Sequence, residues 1–350
     1  SKFISATDYA ANFQAFLDER PEGAPFHFWF GCREPHRDYA PDSGVRSGKT
    51  VEDLELPSFW PQDDIVRRDF LDYKLEIDWF DQQLARILEI LKTTGEMDNT
   101  LIVVTSDNGM PFPRAKATLY ESGTRVPLAM SWPDTISPNR TIDDLVSFID
   151  LAPTFLEAAG IEVIPAITGH SLMNILRSTE SGILEPERDY ILLGKERHNY
   201  ARPDNVGYPI RAIRTREYLY LKNLKPDRWP MGDPPYYWCH TKMTNPTKDL
   251  IISSRLRSNL AHPYLLTYSH KPAEELYNII EDPDCIHNLA TSSEHKSIRD
   301  QLNNHLTQEL TKQKDPRMLG QGDIFESYPY YQRLPEKGFS GFMEYGKYNT

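Results

Sequence analysis

A few residues have types and spacings suited to holding and cleaving a tetrahedral anion. Ser106-Asp107-Asn108-Gly109 follows directly on the apolar run Thr100-Leu101-Ile102-Val103-Val104-Thr105. A carboxylate beside an amide carbonyl offers hard oxygen donors of the kind calcium takes. Ligands of open α/β sheets gather at the carboxyl ends of strands, which is where this tetrapeptide is expected to lie. Asp-Asn-Gly is equally an ordinary turn that needs no metal. Eight residues beyond Asn108 stands Lys116. Most lysines are solvated surface charges, but one just past a metal-type turn can reach an anion bound there. Pro35-His36-Arg37 closes an earlier aromatic run. An imidazole, with an ordinary pKa of about 6.5, suits protonation of a leaving group. The plain alternative is a loop histidine bonded to backbone.

The elements that must position these residues follow from periodicity. Tyr9, Phe13, Phe16 and Leu17 share one face of a helix expected from Thr7 to Glu19, capped by Thr7. Pro25-Phe26-His27-Phe28-Trp29-Phe30-Gly31 predicts a buried strand. Between Asp64 and Leu91, Val66, Phe70, Tyr73, Ile77, Phe80, Leu84, Ile87 and Leu91 form one apolar stripe along a long helix that Gly95 terminates. The continuous run to Thr105 then predicts a parallel strand covered on both faces. Strand, long helix and strand together predict an α/β unit. Past Glu185 the prolines thicken, and the runs 209–214 and 218–221 predict a smaller antiparallel sheet. A late helix carries Ile298, Leu302, Leu306 and Leu310, and an aromatic, glycine-rich tail begins at Met318. The division expected is residues 1–185 for the α/β part and 186–350 for an α+β subdomain with its tail.

Composition narrows the partners. A net charge of −12 over 350 residues argues against nucleic acid, whose phosphates require clustered Lys and Arg. No apolar run approaches the roughly 20 residues that span a bilayer, and the opening Ser1-Lys2-Phe3-Ile4 lacks a signal-peptide pattern. Cys32, Cys239 and Cys285 are too few and scattered for a disulfide framework or zinc site, and inert buried thiols are expected.

In order and in combination, these features resemble the type I sulfatases of the alkaline phosphatase superfamily. The matching runs are Leu101-Ile102-Val103-Val104-Thr105-Ser106-Asp107-Asn108-Gly109, Lys116, Tyr120 through Pro127 and Ser131-Trp132-Pro133. Ile149 through Thr154, Glu275-Leu276-Tyr277, Asp282-Pro283 and Asn288-Leu289-Ala290 extend the resemblance over nearly the whole chain. Glu34-Pro35-His36-Arg37, Asn108 through Pro113, Tyr208 through Arg211 and Lys222-Asn223-Leu224 are similar to the heparan N-sulfatases, or sulfamidases. That family carries Arg at the Lys116 position where most other sulfatases carry Lys, so cleavage of sulfamates and of sulfate esters both stay open. Ser122 stands where the family often has Gly.

The resemblance implies an alkaline-phosphatase-like fold: a mixed, largely parallel sheet flanked by helices, with the smaller antiparallel sheet in the C-terminal subdomain. It implies a formylglycine, made from Cys or Ser in a Cys/Ser-x-Pro-x-Arg motif, attacking sulfur. It also implies calcium held by Asp107, Asn108 and two upstream Asp residues. Lys116 would neutralise sulfate oxygens and His36 would protonate the departing amine or alkoxide, while His198 and Arg211 would contact a sulfated saccharide. Export to the periplasm or a lysosome follows from the same resemblance.

No cysteine or serine here stands in the nucleophile motif. The acidic pairs Asp63-Asp64 and Asp143-Asp144 sit at apparent helix starts, where capping explains them. The expectation is a truncated chain with half the metal ligands and no nucleophile, inactive alone. Interior strands left unpaired would associate with the chain's own N-terminal fragment or with a second copy. Two other functions compete: a phosphodiesterase or phosphonate monoester hydrolase on the same fold, and a non-catalytic glycan-binding module.

Overall fold

The computed structural model describes residues 4–52, 54–234, 237, 245–257 and 261–329; Cys239 lies outside them. Helix α1 spans Tyr9–Glu19, and its cap is Asp8, whose carboxylate accepts from the Ala11 amide at 2.9 Å. The expected cap, Thr7, stands one residue too early. Ala10, Phe13 and Leu17 bury against Ile87 and Leu91 of a 30-residue helix. A short α2 at Ser43–Arg46 precedes that long helix, α3, which spans Asp64–Thr93. Asp63 caps it through Ile65, and Gly95, at φ 75°, ends it by donating to the Lys92 carbonyl.

The α3 stripe departs from expectation at its middle. Ile77 is exposed, while Asp69, Asp72, Glu76 and Gln83 are buried. Three of these polar groups bind other segments. Asp72 accepts from the amides of Asp42 and Gly44, Gln83 from the Ala10 amide, and Asp69 from Arg37. A helix that must hold loops as well as pack needs acceptors on its inner face.

Residues 25–31 lie in no ladder among the described residues, so the expected strand is corrected to an unpaired segment. The period-2 alternation is real: Phe26, Phe28 and Phe30 pack on α1 and α3, whereas Trp29 is 81% exposed.

Strand β1 (Ile102–Thr105) pairs with β2 (Leu128–Ser131), and the pairing is antiparallel, with Ile102 opposite Ser131 and Thr105 opposite Leu128. The parallel, doubly covered strand expected here is corrected on both counts, because β1 is only half-buried. The ladder brings both ends of the 106–127 loop together, and within that loop lies α4 (Glu121–Thr124). Next, α5 (Leu151–Ala158) and α6 (Met173–Arg177) pack with Met130 and Trp132. Asp144 begins no helix; it accepts from the amides of Leu184 and Glu185, both at 2.8 Å.

The smaller antiparallel sheet is present. Its strands β3 (Tyr190–Lys195), β4 (Ile210–Thr215), β5 (Tyr218–Asn223) and β6 (Glu274–Asn278) stand in that order. Between β5 and β6 come α7 (Pro246–Ser253) and α8 (Ala261–Tyr268). After β6 come α9 (Lys296–Lys312) and α10 (Ile324–Ser327). Alternation gives the sheet two apolar faces. Ile213, Tyr220 and Leu276 meet Leu302, Leu306 and Leu310 of α9, while Ala212, Leu219, Leu221 and Tyr277 meet Leu119 and Tyr120 of the 106–127 loop. The loop that carries the candidate chemistry is thus part of the sheet's core.

Candidate active site

The turn after β1 is built by short-range bonds. Thr105 donates to the Pro127 carbonyl at 2.7 Å, Ser106 to the Asn108 carbonyl at 2.8 Å, and the Asn108 amide nitrogen to the Gly109 carbonyl at 2.8 Å. Gly109 must be glycine, since a Cβ there would stand 2.0 Å from the Ser122 carbonyl. The close approach presses the turn against α4. Asp107 is exposed, and its carboxylate has no hydrogen-bond partner among the described residues. Asn108, whose NH2 group is turned to the Gly109 carbonyl, keeps Oδ1 as an acceptor. Both are hard oxygen donors that fit calcium. Two donors fall short of the six to eight oxygens calcium takes, and no group of three or more His, Cys, Asp or Glu able to hold a metal occurs among the described residues.

Lys116 sits on a tight turn whose backbone returns to the first, its amide donating to the Met110 carbonyl at 3.1 Å. Its neighbours Arg114 and Ala117 have left-handed φ values of 64° and 65°, conformations that side chains with a Cβ seldom adopt. Its ammonium group has no hydrogen bond or ion pair among the described residues.

His36 is exposed, and its Nδ1 lies 2.6 Å from the Arg37 carbonyl. A carbonyl only accepts, so the neutral ring carries its proton on Nδ1 and leaves Nε2 as the nitrogen that exchanges protons. The next residue fixes the loop. Arg37 is buried, with a bidentate pair to Asp69 (2.8 Å twice), a bond from Nε to the Pro111 carbonyl at 2.9 Å, and its guanidinium 4.5 and 4.4 Å from the ring centroids of Tyr39 and Phe112. Thr247 completes Asp69 at 2.6 Å. The His36 loop is therefore tied to Pro111, and Lys116 to Met110, neighbours on the chain that runs on from Asn108.

His198 lies close enough to Lys116 to feel its charge. Burial first, then the charges of Lys116 and Lys195, lower the imidazole to a pKa of about 4. It is neutral at pH 7. Arg211, expected at the substrate, is 6% exposed, and its guanidinium binds Glu196 at 2.6 Å and Asp315 at 2.7 Å. A side chain so committed anchors loops, through partners 15 and 104 residues away that a sequence does not show. Asp69, Arg114 and Lys195 were missed. Only Asp69 left a signal, a carboxylate on the apolar side of a long helix. Cys32 and Cys285 are free, and burial pushes both thiols up to about 12, which leaves them inert at pH 7.

Two family models match the chain: "Sulfatase" over residues 2–161 and "N-sulphoglucosamine sulphohydrolase, C-terminal" over residues 114–234. Among curated relatives, the N-sulphoglucosamine sulphohydrolase of Homo sapiens is 27% identical over 78% of this chain and 54% of its own length. An ulvan-active sulfatase of Formosa agariphila is 27% identical over 77% of this chain and 43% of its own length. The chain thus spans about half the length of these relatives. Among solved structures, a sulfatase of Bacteroides fragilis superposes with a TM-score of 0.64 at 21% identity, covering 89% of this chain and 59% of that one. That likeness establishes the alkaline-phosphatase-like fold, a mixture of helix and sheet that includes the small antiparallel sheet. The two matched models together run from residue 2 to residue 234 and contain His36, the Asp107-Asn108 turn and Lys116, and over that length the chain is similar to the sulfatases.

Proposed function

We propose that this chain supplies the anion-binding and proton-donating side of a sulfohydrolase centre acting on sulfated glycans. The observation that carries the reading is Lys116: an uncommitted ammonium on a strained turn, tied by its backbone to the segment that follows Asp107 and Asn108, beside a neutral imidazole. Lys116 binds the sulfate oxygens and offsets their charge, and neutral His198 donates a hydrogen bond without adding a second cation. As the bond from sulfur to the leaving nitrogen or oxygen breaks, protonated His36 gives up its Nε2 proton to that atom, while the Arg37 carbonyl keeps Nδ1 protonated and the ring oriented. Calcium, when bound through Asp107 and Asn108, supplies further positive charge for the sulfate. Contacts of this kind each supply a few kcal/mol, and about 1.4 kcal/mol is tenfold in rate.

Sulfamate cleavage is the favoured specificity, because the C-terminal N-sulphoglucosamine sulphohydrolase model covers Lys116, His198 and the first strands of the small sheet. A lysine at position 116 rather than arginine favours a sulfate ester as the second reading. The implied compartment is an exported one; no helix among the described residues is long and apolar enough to cross a membrane.

The 350 residues contain no Cys/Ser-x-Pro-x-Arg nucleophile. Incubated alone with glucosamine N-sulfate or glucosamine 6-sulfate and calcium, they are expected to release no sulfate, measured by ion chromatography. Turnover by this chain would contradict the assignment of the nucleophile to residues outside it. Size-exclusion chromatography with light scattering tests the accompanying expectation that it pairs with such a segment or with itself, against which a 40.5 kDa monomer would stand.

A further inference from the structure

The cationic residue two places before Lys116 has an arrangement that the proposed chemistry does not use. Arg114 is 1% exposed. Its guanidinium makes no ion pair among the described residues: Nη1 donates to the Leu266 carbonyl at 2.5 Å, Nη2 donates to the Cys285 carbonyl, and the group lies 4.0 Å from the centre of the Tyr120 ring. The nearby Glu275 carboxylate is occupied by Tyr120, Tyr277 and Asn223. A buried cation held by two carbonyl oxygens and an aromatic face, with Glu275 acting on it only at a distance, is costly to keep, and lysine would not reproduce its two diverging donors.

What this arrangement fixes is the backbone around Lys116. The two carbonyls it grips lie 152 and 171 residues further along the chain, one in α8 and one beyond β6. The Arg114 carbonyl is held in turn by the Ser122 hydroxyl at 2.7 Å. On the other side of Lys116, the Ala117 carbonyl accepts from Lys195 of β3 at 2.8 Å. Both flanking residues are in the left-handed region, where neither would rest unaided. Lys116 is therefore presented by a turn whose two ends are set from the small-sheet half of the molecule.

We infer that Arg114 is a positioning residue for Lys116, through which the packing of α8 and the segment after β6 sets how sulfate is bound. The inference rests on the reading that Lys116 is the sulfate ligand. Arg114 is enclosed and touches no reacting group, so its effect is exerted only through the turn.

Sulfate affinity of the full 350-residue chain, followed by NMR titration with sodium sulfate at constant ionic strength, tests this. The comparison is between the native chain, Lys116→Ala, Arg114→Lys and Ser122→Ala, each measured well below its unfolding midpoint. Arg114→Lys is expected to stay folded and to bind sulfate about tenfold more weakly, and Ser122→Ala about threefold more weakly. A residue needed only for folding would lower the midpoint and leave the affinity of the folded protein unchanged. Sulfate binding within about twofold of native in both folded variants, with Lys116→Ala defective, would overturn the inference. Native binding by Lys116→Ala would instead remove the premise. Should Arg114→Lys fail to fold, Ser122→Ala, which removes one uncharged hydroxyl, decides by the same criterion.

Discussion

Lys116 and Arg114 are separated by one residue and have opposite surroundings, which is what makes the site readable at the scale of side chains. Arg114 is enclosed and gripped; the Lys116 ammonium has no partner among the described residues and stands on a backbone that others hold in place. His198 reports on this directly, since burial and the charge of Lys116 keep its pKa at about 4. The sign follows: a histidine with a lowered native pKa costs stability as pH falls below its ordinary value, because the unfolded chain then binds a proton that the native state does not. In an NMR pH titration the His198 ring is expected to titrate near pH 4 in the native chain. In Lys116→Ala its pKa should rise, though it stays below the ordinary value because burial, the larger cause, remains. Titration near 6.5 in the native chain would contradict the burial of His198 beside Lys116. Lys116 was legible from its spacing after Asp107-Asn108-Gly109. Arg114 was not, because its partners at Leu266 and Cys285 are contiguous with it only in space.

At the scale of elements, α3 departs most from a simple amphipathic helix. Its ends pack as the periodicity predicts, but its middle buries Asp69, Asp72 and Glu76. The first two are satisfied by Arg37 and by the Asp42 and Gly44 amides at the start of α2. Glu76, 2% exposed, is different: burial, and then the charge of Glu34, push its pKa up to about 7. A raised carboxyl pKa contributes stability that is complete below the unfolded value of 4.5 and is lost as pH rises through about 7, where the native state must bury a charge. Glu76→Gln is expected to raise the unfolding free energy by about 1–3 kcal/mol at pH 8 and to change it little at pH 4.5. Equal effects at both pH values, by urea denaturation, would contradict the burial of a titrating Glu76. The same helix shows why the sequence was legible only in part. Apolar spacing marks which face turns inward, while the loops that a buried acid must hold are chosen by the tertiary fold.

For the whole molecule, the small sheet was the most legible part. Its strands alternate, one face meeting α9 and the other the 106–127 loop. The direction of pairing at β1 was not legible, because a run such as Leu101 to Thr105 suits a parallel or an antiparallel neighbour equally, and register is set by what lies across the ladder. Residues 25–31 have the alternation of a strand without a ladder, for the same reason: a strand is defined by its partner. What unites the molecule is that the loop between β1 and β2 belongs to two structures at once. Its first turn carries Asp107 and Asn108, and its remainder is a layer of the small sheet's core, so residues 109–120 link sheet packing to the proposed anion site.

The most direct test of a sulfate-binding centre is therefore the amide NMR response of residues 106–123 to sodium sulfate, with sodium chloride as the ionic-strength control. In the native chain the shifts are expected to concentrate at Lys116 and its turn and to saturate, and in Lys116→Ala the saturable response is expected to vanish. Shifts scattered over the surface, or a saturable response that persists without Lys116, would contradict the assignment of this turn as the place where sulfate is held.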